Sequence, residues 1–300
     1  MRKLIVISGF MALASACGQT PASSTKSLTG GDFHGKKYYF GWGKNGNGNS
    51  EMDNEVKYDV LHTHDIFTKS VGGDYTGTTL IGEDQVSGSA IKSEWSQLQS
   101  QIQPQDMYLQ YSSGHGYQGG LEAGVNYDDI INGTLGMNAH ETIVFTMACF
   151  SGGLVDAFNQ QKDKWQNFKD QGKTLFVMAS SKADEESSTG PGTDPDEHSG
   201  EDGSAGSAFG HALWKALIGY ADKVENGGSG HGIVTLGEVI KYTVEQSQRD
   251  GNQTPVYTGS YDESLPIAKV PTVAEAHAML GDTPEARLRL QELINDGVLK

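Results

Sequence analysis

The chain has 300 residues, with 22 Lys+Arg against 38 Asp+Glu and a net charge of −16. No basic face appears, which argues against nucleic acid as a partner. Apolar runs recur along the whole length despite 40 glycines, so the chain suits one large α/β domain or two small ones, and its two cysteines, Cys17 and Cys149, exclude a disulfide scaffold or a cysteine zinc cluster.

Arg2 and Lys3 precede an apolar stretch at residues 4–16. It is too short to span a bilayer but has the length and basic flank of a signal-peptide core. It ends Ala14-Ser15-Ala16-Cys17-Gly18, which resembles a bacterial lipobox, cut before the cysteine and lipidated on its thiol. An ordinary signal peptide cut near Ala16, with Cys17 a spectator, is the alternative. The expectation is an exported protein of the bacterial cell envelope, periplasmic or at the outer surface. It would be membrane-bound through acyl chains on Cys17 rather than through a spanning helix. Residues 1–16 are then the signal and 17–35 the lipidated cysteine with a small, polar, flexible tether. The globular body occupies 36–268 and a helical tail 269–300.

Residues 37–42 are aromatic-rich and fit a buried strand. After a Gly/Asn loop, Val56, Val60, Phe67 and Val71 recur at helical spacing across residues 53–71. Residues 75–81 read as a second strand, and Ile91, Trp95, Leu98 and Ile102 mark one face of a second helix. Residues 107–111 and 143–150 are the third and fourth strands, and one helix is expected over 154–168. A fifth strand at 175–179 leads into an acidic Gly/Pro-rich loop at 180–203. Phe209, Leu213 and Leu217 mark the next helix, Thr235 and Glu238 cap another, and residues 255–258 give a short sixth strand. From Thr272 two short helices follow, divided by Gly281 and restarted at Thr283-Pro284. Strands alternating with helices predict an α/β fold: a three-layer α/β/α sandwich on a mostly parallel sheet of about six strands.

Sites in such sheets form at the carboxyl ends of the strands. The third strand runs into His115-Gly116, and the fourth into Cys149, just before Ser151-Gly152-Gly153 and a helix. If these strands are neighbours, His115 and Cys149 face each other across one groove. A helix N-terminus and an imidazolium both favour the reactive thiolate. Gly116 lets the backbone approach a substrate closely, its N–H standing beside that of Cys149 as an oxyanion donor. Taken singly, the cysteine reads as a small core residue and the histidine as a surface one. Their joint placement at two strong strand ends is what raises the chemistry.

Ser112-Ser113-Gly114-His115-Gly116 and Ala148-Cys149-Phe150-Ser151-Gly152-Gly153 resemble the two signature blocks of the caspase, legumain and metacaspase group of cysteine peptidases. Residues 175–188, Phe209 to Leu213, Thr235 to Glu238 and Gln253-Thr254-Pro255 extend the likeness, which covers roughly residues 36–268 as a caspase-like peptidase domain. The resemblance implies that Cys149 is the nucleophile, His115 the general acid/base, and Gly116 with Cys149 the oxyanion hole, working as a dyad without a third member. The implied activity is a cysteine endopeptidase acting on a protein or peptide substrate through an acyl-enzyme. Two alternatives use the same groove: a catalytically inactive caspase-like binding module at the cell envelope, and a peptide ligase.

Many relatives carry a polar or charged residue two before the nucleophile to hold the substrate's P1 side chain. Here that residue is Met147, whose thioether cannot pair with a cation. Ser113 matches the serine that metacaspases use in the same pocket. Asp184, with Glu185 and Glu186, offers acids for a basic P1, although a solvated surface loop is the commoner fate of such a run. A basic P1 is the expectation, with Asn or Asp as the alternative. His62 and His64 in a predicted helix point to different faces and do not form a metal pair. Residues 45–53 fail as an EF-hand, since Ser50 and Val56 replace its glycine and bidentate glutamate. No cofactor is required by the dyad. A looser calcium site there or at 194–202 stays open, because some metacaspases depend on calcium.

Overall fold

The computed structural model describes residues 35–44, 50–69, 75–188 and 206–299. In chain order the elements are β1 (Lys37–Lys44), α1 (Ser50–Lys69), β2 (Tyr75–Ile81), α2 (Gly88–Gln101) and β3 (Met107–Gly114). Three two-residue strands follow, β4 (Gly116–Tyr117), β5 (Gly120–Leu121) and β6 (Val125–Asn126), and then α3 (Tyr127–Leu135) and β7 (Glu141–Met147). Next come α4 (Gly152–Gln160), α5 (Lys162–Asp170), β8 (Thr174–Ala179), α6 (Ala208–Ile218), β9 (Ile233–Thr235) and α7 (Leu236–Gly251). The chain closes with β10 (Val256–Ser260), β11 (Pro266–Lys269), α8 (Val273–Leu280) and α9 (Pro284–Asn295).

The main sheet has the order β10-β8-β7-β3-β1-β2. All pairings in it are parallel except β10 on β8. It is the expected mostly parallel sheet of six strands, in a caspase-like three-layer sandwich. Strand alternation divides the core. Tyr39, Leu109, Tyr111, Phe145 and Met147 pack on one face with α1, α6 and α7. Phe40, Trp42, Tyr108 and Val144 pack on the other with α2, α3 and α4. Ala276, Met279 and Leu293 from α8 and α9, with Val298 and Leu299, join the first of these cores. The tail therefore packs on the body.

The single helix expected over 154–168 is two, broken at Gln161. Its N–H bonds back to Ala157 and Phe158, closing α4 one residue before α5 starts. The segment between His115 and the fourth strand, which apolar periodicity left blank, holds β4–β6 and α3. Asn126 and Asp129 form a capping box at the start of α3, the same Asx-x-x-acid signal that Thr235 and Glu238 supply for α7. The short sheet of β9 and β11 also lies below what three- and four-residue runs reveal.

Candidate active site

β3 and β7 are adjacent and parallel, with Ser113 opposite Met147. His115 and Cys149 each lie two residues beyond that pair. Two such strand ends deliver their following residues to one edge of the sheet. The contact is close: a Cβ placed on Gly116 would stand 2.1 Å from the Cys149 carbonyl oxygen and 2.9 Å from the Ala148 Cβ. Only glycine lets these two backbones touch. His115, Gly116 and Cys149 are all half-buried, so each is partly open to solvent.

The turn that carries Cys149 is held on both sides. The Ala148 N–H donates to Ser180 Oγ at 3.2 Å, and the Ala148 carbonyl accepts from Ser187 Oγ at 2.8 Å. Phe150 has a positive φ of 61°, a strained conformation for a non-glycine residue. Its N–H donates to the Glu185 carbonyl at 2.8 Å. Its carbonyl accepts from the Tyr127 hydroxyl at 2.8 Å. The same hydroxyl lies 3.4 Å from the Tyr117 carbonyl on the His115 side, so Tyr127 staples the two turns together. Gly153, in the first turn of α4, makes room for the Tyr127 ring, 2.6 Å from where a Cβ would sit. Among the described residues the Cys149 thiol has only a long contact, 4.0 Å, to the Ser187 carbonyl.

On the α1 side of the β3 end lies an acidic cluster. Ser113 is buried and donates to Asp59 Oδ2 at 2.8 Å. Ser207 donates to the same carboxylate twice, through Oγ at 2.8 Å and through its N–H at 3.0 Å. Ser207 also caps α6, accepting from the Gly210 N–H. A Cβ on Gly210 would come within 1.9 Å of Asp59 Oδ1, so glycine is what brings α6 against α1. Asp59 thus joins α1, the end of β3 and the start of α6. Burial raises its pKa to about 6, and the two serine hydroxyls and the Ser207 N–H hold it from going higher. Glu55, one turn earlier on the same helix face, is raised to about 8, by burial first and by the Asp59 charge second. Among the described residues no hydrogen bond or ion pair holds its carboxylate.

Neither acid was anticipated, yet a signal was present. Asp59 falls between Val56 and Thr63 on the helix face that Val60 and Phe67 bury, where a solvated charge has no place. Met147 is 3% exposed and packs in the core on this face. Asp184 and Glu186 are exposed. Glu185 is occupied by the Lys182 N–H and by the N–H and hydroxyl of Thr254. Among these acids, Asp59 is the one that touches Ser113. Cys17 and residues 45–49 and 194–202 lie outside the described residues. Among the described residues no three His, Cys, Asp or Glu side chains converge as a metal site, and no calcium site is assigned.

Residues 54–265, more than half of the chain, match the caspase domain family of peptidases. The chain belongs to the caspase-domain family. Among solved structures it is similar to protein GSU0716 from Geobacter sulfurreducens, with a TM-score of 0.51 and 13% identity over 79% of this chain and 98% of that one. That likeness concerns the fold alone. No curated protein matches the sequence. Membership makes this a cysteine-peptidase-like domain with protein or peptide as its substrate class.

Proposed function

We propose that the protein is an active cysteine endopeptidase that cuts after a basic P1 residue, with Cys149 as nucleophile and His115 as general acid/base. The observation that carries this reading is the backbone contact of Gly116 with Cys149, which sets the two strand ends across one groove. The Cys149 thiolate attacks the scissile carbonyl carbon, and the carbonyl electron pair moves onto oxygen. The N–H groups of Gly116 and Cys149 stabilise that oxyanion. Collapse expels the amine, which takes its proton from the His115 imidazolium and leaves a thioester. Water then gives its proton to His115 and attacks the thioester, and the second collapse frees the carboxylic product and the thiolate.

The P1 preference rests on Glu55. A half-buried carboxylate with no partner among the described residues is costly, and a guanidinium or ammonium entering beside Ser113 supplies the missing charge. Asp59, already bonded by three donors, shapes the pocket and adds to its potential. Replacing Cys149 with Ala should abolish hydrolysis and labelling by a thiol-directed peptide electrophile. A peptide panel varied at P1, run with and without a chelator, tests specificity and calcium together. Turnover with Arg and Lys is expected. No turnover with any member would leave a binding module, while trapping of an added amine in the product would mark a ligase.

Export and anchoring through acylated Cys17 rest on the amino-terminal sequence. Incorporation of labelled fatty acid, lost in Cys17→Ala together with membrane association, is the expected result. Label retained in Cys17→Ala would overturn the assignment.

A further inference from the structure

The N–H of Cys149 and the carbonyl of Ala148 belong to one peptide unit, so what binds the carbonyl acts on the donor. Three serine hydroxyls converge on that carbonyl: Ser187 Oγ at 2.8 Å, and Ser180 Oγ and Ser181 Oγ each at 3.2 Å. The Ser151 N–H adds a longer contact at 3.3 Å. Ser180, Ser181 and Ser151 are fully buried and linked through Ser151, whose Oγ lies 3.1 Å from Ser180 and 3.4 Å from Ser181. Ser187 touches Ser180 as well.

A carbonyl offers two lone pairs and each hydroxyl one proton. Ser180 Oγ already accepts from the Ala148 N–H, which marks it as the brace of the turn. Ser181 and Ser187 are then the natural donors to the carbonyl. Donation to an amide oxygen draws electrons from nitrogen and makes the attached N–H a stronger donor. Chains of hydrogen bonds reinforce one another by roughly 10–30% per bond. Two donors also fix the plane of the peptide, and with it the direction of the N–H. Preorganised donors of this kind cost no reorganisation when charge develops.

We infer that Ser181 and Ser187 are positioning residues for the oxyanion hole. Bonded to the Ala148 carbonyl, they orient and polarise the Cys149 N–H. The inference rests on Cys149 being the nucleophile, and it adds a role for two side chains that touch no substrate. A purely structural role would place the serines there only to satisfy a strand end. The two accounts differ in what they do to an oxygen that becomes negative.

The test compares Ser187→Ala, Ser181→Ala, the double variant and Ser187→Thr with the wild type. Three quantities are read: kcat and KM on the best peptide of the P1 panel, inhibition by the matching peptide aldehyde, and the rate of Cys149 alkylation by iodoacetamide. The aldehyde forms a sulfur–carbon bond and its carbonyl pair moves to oxygen, so it needs the hole. Alkylation breaks a carbon–iodine bond and creates no oxyanion. Losing one hydrogen bond of about 1 kcal/mol predicts a roughly fivefold fall in kcat and in aldehyde affinity for each single variant. KM and the alkylation rate should hold, the double variant should fall further, and Ser187→Thr should recover the wild-type values. Because Ser187 is only half-buried, its variants read the effect even if Ser181→Ala fails to fold. Unchanged kcat and aldehyde affinity in an active protein would overturn the inference alone, and so would alkylation falling in parallel with them. A wild type that neither cleaves peptides nor binds the aldehyde sinks the peptidase reading, and this inference with it.

Discussion

The Cys149 turn beyond β7 and the acidic cluster at the end of β3 lie at the same edge of the sheet, yet their polar groups are partnered to opposite degrees. Around Cys149, the Ala148 N–H and carbonyl and the Phe150 N–H and carbonyl are all bonded. In the acidic cluster, Asp59 accepts from three donors while Glu55, one turn away, has none among the described residues. Saturated buried groups build the frame. On the proposed function, that contrast gives Asp59 an architectural part and makes the half-buried Glu55 the group a basic P1 side chain would meet.

The largest effect expected from breaking this contrast falls on Glu55. Glu55→Gln should lower kcat/KM for Arg and Lys at P1 by about a hundredfold at pH above 8, the size of one lost charge-assisted contact of roughly 3 kcal/mol. An uncharged P1 should be almost unaffected. Equal losses with both kinds of substrate would remove Glu55 from recognition.

Asp59→Ala should act on stability instead. It strands the Ser113 and Ser207 hydroxyls and the Ser207 N–H without an acceptor, at a cost of about 3 kcal/mol in urea unfolding. Glu55→Gln should leave stability at pH 4 within about 0.5 kcal/mol, since an amide resembles the protonated acid and both states are protonated there. A reversal of the two ranks would reverse the assignment of roles.

The pH dependence sharpens the same point. Burial raises Glu55 to about 8 in the folded state, so a basic P1 meets the ionised form only as pH climbs. For basic substrates kcat/KM should therefore rise through about pH 8, and the rise should vanish in Glu55→Gln. Stability runs the other way. For Asp59 and Glu55 the folded pKa exceeds the unfolded one, so their contribution is complete below about pH 4 and is lost as pH passes 6 and then 8. Urea midpoints of wild type and Glu55→Gln should converge near pH 4 and separate increasingly towards pH 9, with the variant the more stable.

The smallest effect belongs to the staple between the two turns. Tyr127→Phe keeps the ring against Gly153 and removes the bonds to the Phe150 and Tyr117 carbonyls, for a fall of roughly fivefold in kcat/KM on every substrate, whatever its P1. A P1-dependent loss would tie Tyr127 to the pocket rather than to the turns.

Much of this arrangement was legible in the chain. The apolar runs at 107–111 and 143–150 marked the two central strands, and the glycines after His115 and Cys149 marked their ends. Tail helices were readable from Thr272, Gly281 and Thr283-Pro284, which act locally as caps and breakers. The pocket was not read, because the Asp59 bond to Ser207 spans 148 residues and each end looks ordinary alone. An acid on a helix reads as solvated until the neighbouring helix is known to cover it.

By itself, then, the sequence determined what acts over short range: strand alternation, capping boxes, the glycines at two turns, and the family to which their order belongs. Tertiary structure decided what depends on distant partners. It set Ser113 beside Asp59, folded residues 180–187 over the Cys149 turn, and chose which acids face the strand ends and which face water. The physical reason is desolvation. Whether a carboxylate or a hydroxyl is a surface group or part of a site depends on what covers it, and that cover comes from elements far away in the chain.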